Sequence, residues 1–519
     1  MICQIFVSFP NLTKFDPVNT PKSLTRFWYF YLFIYFGFVL FNLDRIPVAW
    51  LDETFGLDPA INLVRNGEYV SKIWAHPGTE TKFLAYLPFI QLYNAAFLSF
   101  LPAEIYFVRL PYVLAFVVAL VFLWKIYRNH LQLGLLASIV ITAVFMNDKG
   151  IYESLRSFRS EVLELMLLAP AIYFFLQNKK PVLMAFLLSM VFLTHPSLWV
   201  LVGILMLYVF FKSDIKTKLI SSIVFFLPIL GFLVYAGFDF AALKSQLIDH
   251  GGEHMAGGNL FIDHFWNRYW PYYKLQPWVP FLNLFITGYC IYILFKEKSI
   301  KNHPLEVAFL LTSLYWLFIL APMYRYNTPN ILLMFILLPK PLLLLKEKYY
   351  DTVTGKYKLR LITWGLVAIL PLAILVELPF LSRNALAVIQ REERNPYKAL
   401  AWLDAHFGNN KKILLVENSI AHYYKIQHEN VDFALVYSVY KYNFNEYDEV
   451  YQVTVGDSIP PGAALIDTYL PQKGTLGGKD IGASAVTYYG LKLIKINTPE
   501  QMKQLQRGYE QYANPSSRN

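Results

Sequence analysis

The chain has 519 residues, 56% of them hydrophobic and 16% charged, with a formal net charge of +10. A soluble globular protein is nearer a quarter charged, and apolar runs of about 17 to 20 residues, the length a bilayer demands, recur over roughly the first 380 positions. An ordinary soluble enzyme is excluded, and positive charge carried by short loops between apolar runs reads as a topology signal and a contact to anionic membrane lipids, not as a nucleic-acid surface. Of the two cysteines, Cys3 and Cys290, the second lies inside an apolar run, so there is no disulfide framework.

Residues 1–26 read as a cytoplasmic N-terminus. No cleavable-signal pattern precedes the first span, Phe27 to Leu43, which Lys14, Lys22 and Arg26 flank. Asp52 and Glu53 open the loop that follows. The spacing of Phe55, Leu57, Ile61, Leu63 and Val64 predicts a short amphipathic helix from Thr54 to Arg65, ended by Asn66-Gly67, and Pro77-Gly78 marks a turn. Leu84 to Leu101 is apolar enough to span. The later basic loops (Lys125/Arg128, Lys179/Lys180, Lys212/Lys216/Lys218, Lys296/Lys298/Lys301 and the set from Lys346 to Arg360) fall on the cytoplasmic side only if it does not, so it is expected to lie at the interface.

Further spans are expected at 107–124, 130–146, 161–177, 181–194, 197–212, 218–236, 278–295, 305–321, 327–345 and 360–381, which with the first make eleven and place the C-terminus outside. Residues 27–381 then form the membrane domain, with extracytoplasmic loops at 44–106, 147–160 and 237–277. From 382 to 519 the apolar runs shrink to strand length, at Ile413–Val416, Ala434–Tyr437, Val450–Val455, Ala463–Ile466 and Leu491–Ile496. Helical segments accompany them at Pro396–Phe407 and Pro499–Arg507, giving a small extracytoplasmic α/β domain. The expected fold class is an α-helical polytopic protein of the cell's inner (plasma) membrane with a C-terminal α/β domain.

Polar residues gather on the outer face. Asp52-Glu53 come first. The stretch Glu153 to Glu161 carries Arg156 and Arg159, which share a face at helical spacing. Tyr324-Arg325-Tyr326 opens a late span, and His76, Glu80 and Lys82 stand in the first loop. Acidic groups and several cations at one membrane face suit a transfer reaction. A carboxylate takes a proton from an acceptor hydroxyl or amine, and arginines or lysines hold and neutralise a departing phosphate whose lipid tail stays in the bilayer.

Plainer accounts stand beside these. Asp52-Glu53 suits the first turn of the helix that follows, Arg156 and Arg159 could anchor a span end, and Arg109 could pair with Glu104 or a lipid headgroup. His195 in Thr194-His195-Pro196 is most simply a buried, hydrogen-bonded histidine at a hairpin break. In the loop 237–277, His250, Glu253 and His254 offer a candidate divalent-metal set, but Gly251-Gly252 argues against the helix that such spacing needs; a lid over the substrate is the competing reading. The aromatic run Phe265–Tyr273 either stacks on sugar faces or forms an interfacial belt. No other cofactor is expected.

Several of these residues stand in a recognisable order: Asp52-Glu53, Asn62 and Gly67-Glu68-Tyr69; Lys82 with Tyr86; Arg109-Leu110-Pro111; Arg156-x-x-Arg159-x-Glu161; Phe192-Leu193-Thr194-His195-Pro196; and Arg325-Tyr326-x-x-Pro329. Over roughly residues 25 to 345 the chain resembles the GT-C membrane glycosyltransferases of the bacterial branch related to protein O-mannosyltransferases and to the lipid A aminoarabinose transferase. The resemblance implies a polyprenyl-phosphate sugar donor, inversion at the anomeric carbon, and an acceptor that is lipid A, a surface polysaccharide or a protein. It implies Asp52 as catalytic base with Glu53 assisting, and Lys82, Arg156, Arg159, Glu161, Arg325 and Tyr326 as donor-phosphate or substrate contacts. Phe83-Leu84 after the lysine, where many relatives have two prolines, and Ser160-Glu161, where many have Pro-Asp, depart from the pattern.

Two other classes compete. A transporter or flippase of lipid-linked sugar predicts mid-span charges and inverted repeats. A membrane scaffold with an outer binding domain predicts no convergence of Asp52, Arg156 and Arg325.

Overall fold

The computed structural model describes residues 22–74, 78–249, 278–318, 324–341, 343–344, 385, 388–408, 410–455, 459, 462–470, 488, 490–498, 500–501 and 503, without the side chains of 51, 52, 149, 248, 249, 324, 325 and 437. The expected span 360–381, the candidate metal residues His250, Glu253 and His254, His76, and the aromatic run Phe265–Tyr273 lie outside the described residues, as do the side chains of Asp52 and Arg325.

The N-terminal part is a bundle of apolar helices: α1 (Lys22–Phe41), α2 (Leu51–Asn66), α3 (Phe89–Leu98), α4 (Ile105–Lys125), α5 (Leu135–Met146), α6 (Lys149–Leu155), α7 (Ser160–Leu176), α8 (Pro181–Phe192), α9 (Trp199–Lys212), α10 (Ile215–Ala236), α11 (Trp278–Glu297), α12 (Pro304–Phe318) and α13 (Thr328–Leu337). Among the described residues, Lys22–Phe41, Ile105–His130, Ile215–Ala236 and Trp278–Glu297 are long and apolar enough to cross a membrane. Phe30 and Phe33 on α1, Phe226 and Leu230 on α10, and Phe281 and Phe285 on α11 are exposed; apolar side chains in such numbers on long helices need lipid around them. At the centre lies α7, which packs against α4, α8 and α13 and is buried on nearly every side.

The stretch Leu84–Leu101 contains only the ten-residue α3. At 1.5 Å per residue that is about 15 Å, half the thickness of a bilayer core. The amphipathic helix expected from Thr54 begins earlier, at Leu51. Trp50 is extended and caps it, and Gly67, in the left-handed region at φ 72°, ends it. Asp52 and Glu53 therefore occupy its first turn instead of the preceding loop.

The C-terminal part is an α/β unit. Helices α14 (Pro396–Asp404) and α15 (Ser419–Gln427) accompany a five-stranded sheet of β1 (Ile413–Val416), β2 (Val431–Ala434), β3 (Glu449–Thr454), β4 (Ala464–Tyr469) and β5 (Leu491–Ile496) in the order β2-β1-β3-β5-β4. The β1/β2 and β1/β3 pairs are parallel, and β5 pairs antiparallel with β3 and β4. The second strand lies three residues before its expected start at Ala434. The chain turns at once after α15 and enters register with β1 (Ile413 beside Val431). Val436–Lys441 is instead a 3-10 turn, fixed by the Leu435 amide donating to Ser438 Oγ at 3.2 Å.

One face of this sheet is continuous with the helical bundle: Leu415, Phe433, Tyr451 and Leu493 belong to the same apolar core as α4 and α7. Polar contacts seal the junction. Arg45 Nη1 donates to the Arg391 carbonyl at 2.9 Å, and Lys441 Nζ donates to Thr79 Oγ1 and Glu80 Oε2, each at 2.7 Å. Asp58 on α2 meets Lys425 Nζ at 3.3 Å and His422 Nε2 at 3.5 Å from α15. Burial opposes ionisation of Asp58, yet Lys425 and His422 together hold its carboxyl well below the usual range.

Candidate active site

The site is built around a guanidinium with all of its donors satisfied. Arg109, buried at the start of α4, donates from Nε and Nη2 to the two oxygens of Glu53, at 2.7 and 3.0 Å. Its Nη1 reaches the Leu43 and Pro47 carbonyls, both at 2.7 Å, and Nη2 also reaches Val48 O at 3.4 Å. A guanidinium carries five N–H donors, so none is left for a ligand. Its partner is Glu53, not Glu104. Glu53 accepts a further bond from the Phe158 amide at 3.4 Å. These contacts fix the loop 43–50 and the first turn of α2, and with it the backbone position of Asp52.

Arg156 and Arg159 do not share a helical face. The backbone leaves helix between them: Arg156 is the C-cap of α6, and Arg159, extended, is the N-cap of α7. The break lets the Phe158 amide turn towards Glu53 and sends the two arginines apart. Arg156, 1% exposed, donates to Tyr152 Oη at 2.8 Å and to the Asn42 carbonyl at 3.2 Å. Burial, with the charge of Arg109, lowers its pKa even though Tyr152 opposes this. Arg159 stacks over the Trp50 ring at 4.5 Å and lies 3.6 Å from Glu161 Oε2. Both arginines thus approach the segment 42–53 that carries Asp52, from two sides.

An aromatic path leads from α2 to the late helices: Phe55 to Trp74 (4.5 Å between ring centroids), Trp74 to Tyr86 (6.3 Å), Tyr86 to His195 (5.8 Å) and His195 to Tyr326 (4.9 Å). Glu161 is buried close enough to this path to act on Tyr86 electrostatically. The Ser197 amide donates to His195 Nδ1 at 3.2 Å, which leaves the ring proton on Nε2. Burial, with Arg159 nearby, pushes the His195 pKa down to about 4.

Lys82 takes a separate position. Its Nζ donates to the Ala236 carbonyl at 3.2 Å, and it lines a cavity of about 320 Å³ with Glu68, Tyr69, Val70, Glu80, Thr81 and Tyr235. Among the described residues no group of three or more His, Cys, Asp or Glu could hold a metal ion.

Three residues near the site are poorly announced by the sequence. Glu164, buried one turn after Glu161, was open to detection as a second carboxylate inside an apolar run. Trp50 carried no signal beyond being next to the acidic pair. Arg394 lies in Arg391-Glu392-Glu393-Arg394, which reads as a solvated charge run, yet it is 0% exposed.

No protein-family model matches the sequence, and no curated protein matches it. Solved structures do. The crystal structure of ArnT from Cupriavidus metallidurans in the apo state superposes with a TM-score of 0.58 at 10% identity, covering 92% of this chain and 99% of that one. The same enzyme bound to undecaprenyl phosphate gives a TM-score of 0.55 at 11% identity, covering 91% and 98%. The likeness covers both the helical bundle and the C-terminal sheet, and the chain is therefore a membrane protein of GT-C fold with a C-terminal α/β domain.

Proposed function

We propose that this protein is a membrane glycosyltransferase that moves a sugar from a polyprenyl-phosphate donor to an acceptor on the extracytoplasmic side, with inversion. The observation that carries the reading is the convergence of Arg156 and Arg159 on the segment 42–53, whose end is pinned by the buried Glu53–Arg109 pair. Asp52 then stands in the first turn of α2, where the helix dipole favours a carboxylate, with cations on either side of its segment. The shared fold with an enzyme solved with undecaprenyl phosphate supports a polyprenyl-phosphate partner. Topology follows the charge distribution: N-terminus cytoplasmic, the 44–106 and 147–160 loops and the C-terminal domain outside.

In the reaction, the acceptor oxygen or nitrogen attacks the anomeric carbon from the face opposite the phosphate. Asp52 takes the acceptor's proton as the new bond forms. The carbon–oxygen bond to phosphate breaks with its electron pair, and polyprenyl phosphate leaves as an anion held by arginine and lysine side chains. Glu53 acts on Asp52 through the backbone, as a positioning residue whose charge Arg109 neutralises. Lys82, Arg325, Glu161 and Tyr326 are assigned to the donor and sugar. The His250, Glu253 and His254 set stays a candidate for a divalent ion, read by metal content of the purified protein.

The deciding experiment is glycolipid and glycan profiling of cells carrying Asp52→Asn, wild-type protein or a deletion. The expected result is that Asp52→Asn reproduces the deletion profile with normal protein level. A wild-type profile from Asp52→Asn, where the deletion shows a defect, rejects Asp52 as the base.

A further inference from the structure

Buried arginines in this protein fall into two groups. Arg109 has all five donors bonded and a carboxylate across from it. Arg156 and Arg394 do not. Arg156 uses Nη1 and Nη2, but its Nε has no hydrogen-bond partner among the described residues. Arg394 donates from Nη2 to Gln390 Oε1 at 3.2 Å, and its Nε and Nη1 have none among them. Neither forms an ion pair there. Buried donors left without acceptors are costly, more so on a charged group, and call for an explanation.

Both arginines belong to elements that pack on the segment 38–49. Arg156 bonds the Asn42 carbonyl and stands over the Phe38 ring at 5.8 Å. The turn that carries Arg394 packs on the same segment: Arg45 holds the Arg391 carbonyl, and Arg391 covers the Phe41 ring at 4.2 Å. Tyr488 takes the Glu393 carbonyl with its amide and reaches the Ala49 amide with its hydroxyl, each at 3.2 Å. Burial and the nearby positive charge of Arg156 bring the Arg394 pKa down to about 10, and Glu393 acts on it only from beyond ion-pair distance. Two buried like charges lie near one another, and three of their guanidinium nitrogens have no acceptor among the described residues.

We propose that Arg156 from the membrane domain and Arg394 from the C-terminal domain are the two halves of one anion site that takes a phosphate monoester. Two guanidinium charges match the charge of a phosphate monoester, and their unpaired N–H groups are the donors its terminal oxygens take. The inference rests on the transferase reading in one respect: the leaving group there is a phosphate monoester whose charge rises as the sugar departs. Arg394 would then bind the product more tightly than the donor and make the outer domain part of the site. Free phosphate offers the same chemistry without the lipid.

The test uses the full-length protein in lipid nanodiscs, with unfolding temperature and apparent affinity measured for polyprenyl phosphate, inorganic phosphate and uncharged polyprenol. Wild type is expected to be stabilised by polyprenyl phosphate and not by polyprenol. Arg394→Met is expected to unfold no earlier than wild type without ligand, since a repulsive pair is removed, and to bind the phosphate lipid about tenfold or more weakly. Arg394→Lys keeps the charge, loses the fork, and is expected to bind about threefold or more weakly; it decides the matter if the methionine variant does not fold. Unchanged affinity in the folded variants overturns the site, and leaves the transferase reading intact if Asp52→Asn still abolishes transfer. Wild-type stabilisation by inorganic phosphate but not by the lipid, lost in Arg394→Met, upholds the site and removes the lipid donor instead.

Discussion

Both oxygens of Glu53 are taken by one guanidinium, that of Arg109, 56 residues away and equally shut off from solvent. The pair joins the first turn of α2 to the start of α4. Removing one partner strands a charge in a dry site, which costs about 3–5 kcal/mol. Glu53→Gln and Arg109→Met should each lower unfolding stability by that order, while the double substitution should cost clearly less than the sum. Denaturant or thermal unfolding in detergent measures it; single effects below about 1 kcal/mol would contradict the role given to the pair.

Gly56 carries the same argument into packing. A Cβ at this position would overlap the Phe158 ring, with Phe158 Cδ1 at 2.8 Å, and Phe158 is the residue whose amide reaches Glu53. Gly56→Ala should cost about 1–3 kcal/mol by overpacking and reduce transfer by displacing the first turn of α2. Adding Phe158→Leu should recover part of both losses. Equal activity in Gly56→Ala and wild type would show that the approach is not needed.

The junction at Asp58 should be acid-sensitive. Its folded pKa is depressed, so its contribution is present above the ordinary carboxylate value near 4 and lost as pH falls through the folded one. His422 works in the same direction. Burial lowers its pKa against the pull of Asp58, so the stability tied to its neutral form fades as pH falls below about 6.5. Hydrogen exchange on α15, taken relative to the intrinsic amide rate at each pH, should rise between pH 7 and 5 before that of α7 does. Lys425→Met, at about 1–2 kcal/mol, should bring the rise to higher pH. A flat response of α15 over that range would refute the coupling.

His195 makes a negative prediction. With a pKa near 4 it stays neutral through pH 5 to 8, so it contributes no limb to an activity profile there. An acid limb near 6.5 that survives in His195→Asn agrees; one that disappears assigns the titration to His195 after all.

The bundle was legible because apolar runs of bilayer length are hard to read any other way, and the α/β unit because its runs shorten abruptly after 382. The misread details are tertiary. Arg156 and Arg159 have the spacing of one helix face, but an extended Arg159 begins a new helix and turns the Phe158 amide inward. The sequence offers Arg109 either Glu104, five residues away, or a lipid headgroup, whereas its partner comes from another helix. Ala434 to Tyr437 has strand composition, yet the parallel register with β1 uses up the chain three residues sooner. Arg394 is buried although its neighbours are charged; its turn packs through Arg391 on Phe41 and Arg45, far earlier in the chain, and no local pattern announces that.

Arg45 and the Arg391 carbonyl are 346 residues apart. At translation rates of about 5–20 residues per second, the loop after α1 waits roughly 20 to 70 seconds for the segment that packs on it. During that interval Arg45 and Asp58 have no partners from the sheet domain, and the apolar surface that later meets Leu415 and Phe433 is uncovered. A chain that stops before its last quarter therefore keeps this surface uncovered and Arg45 and Asp58 without those contacts.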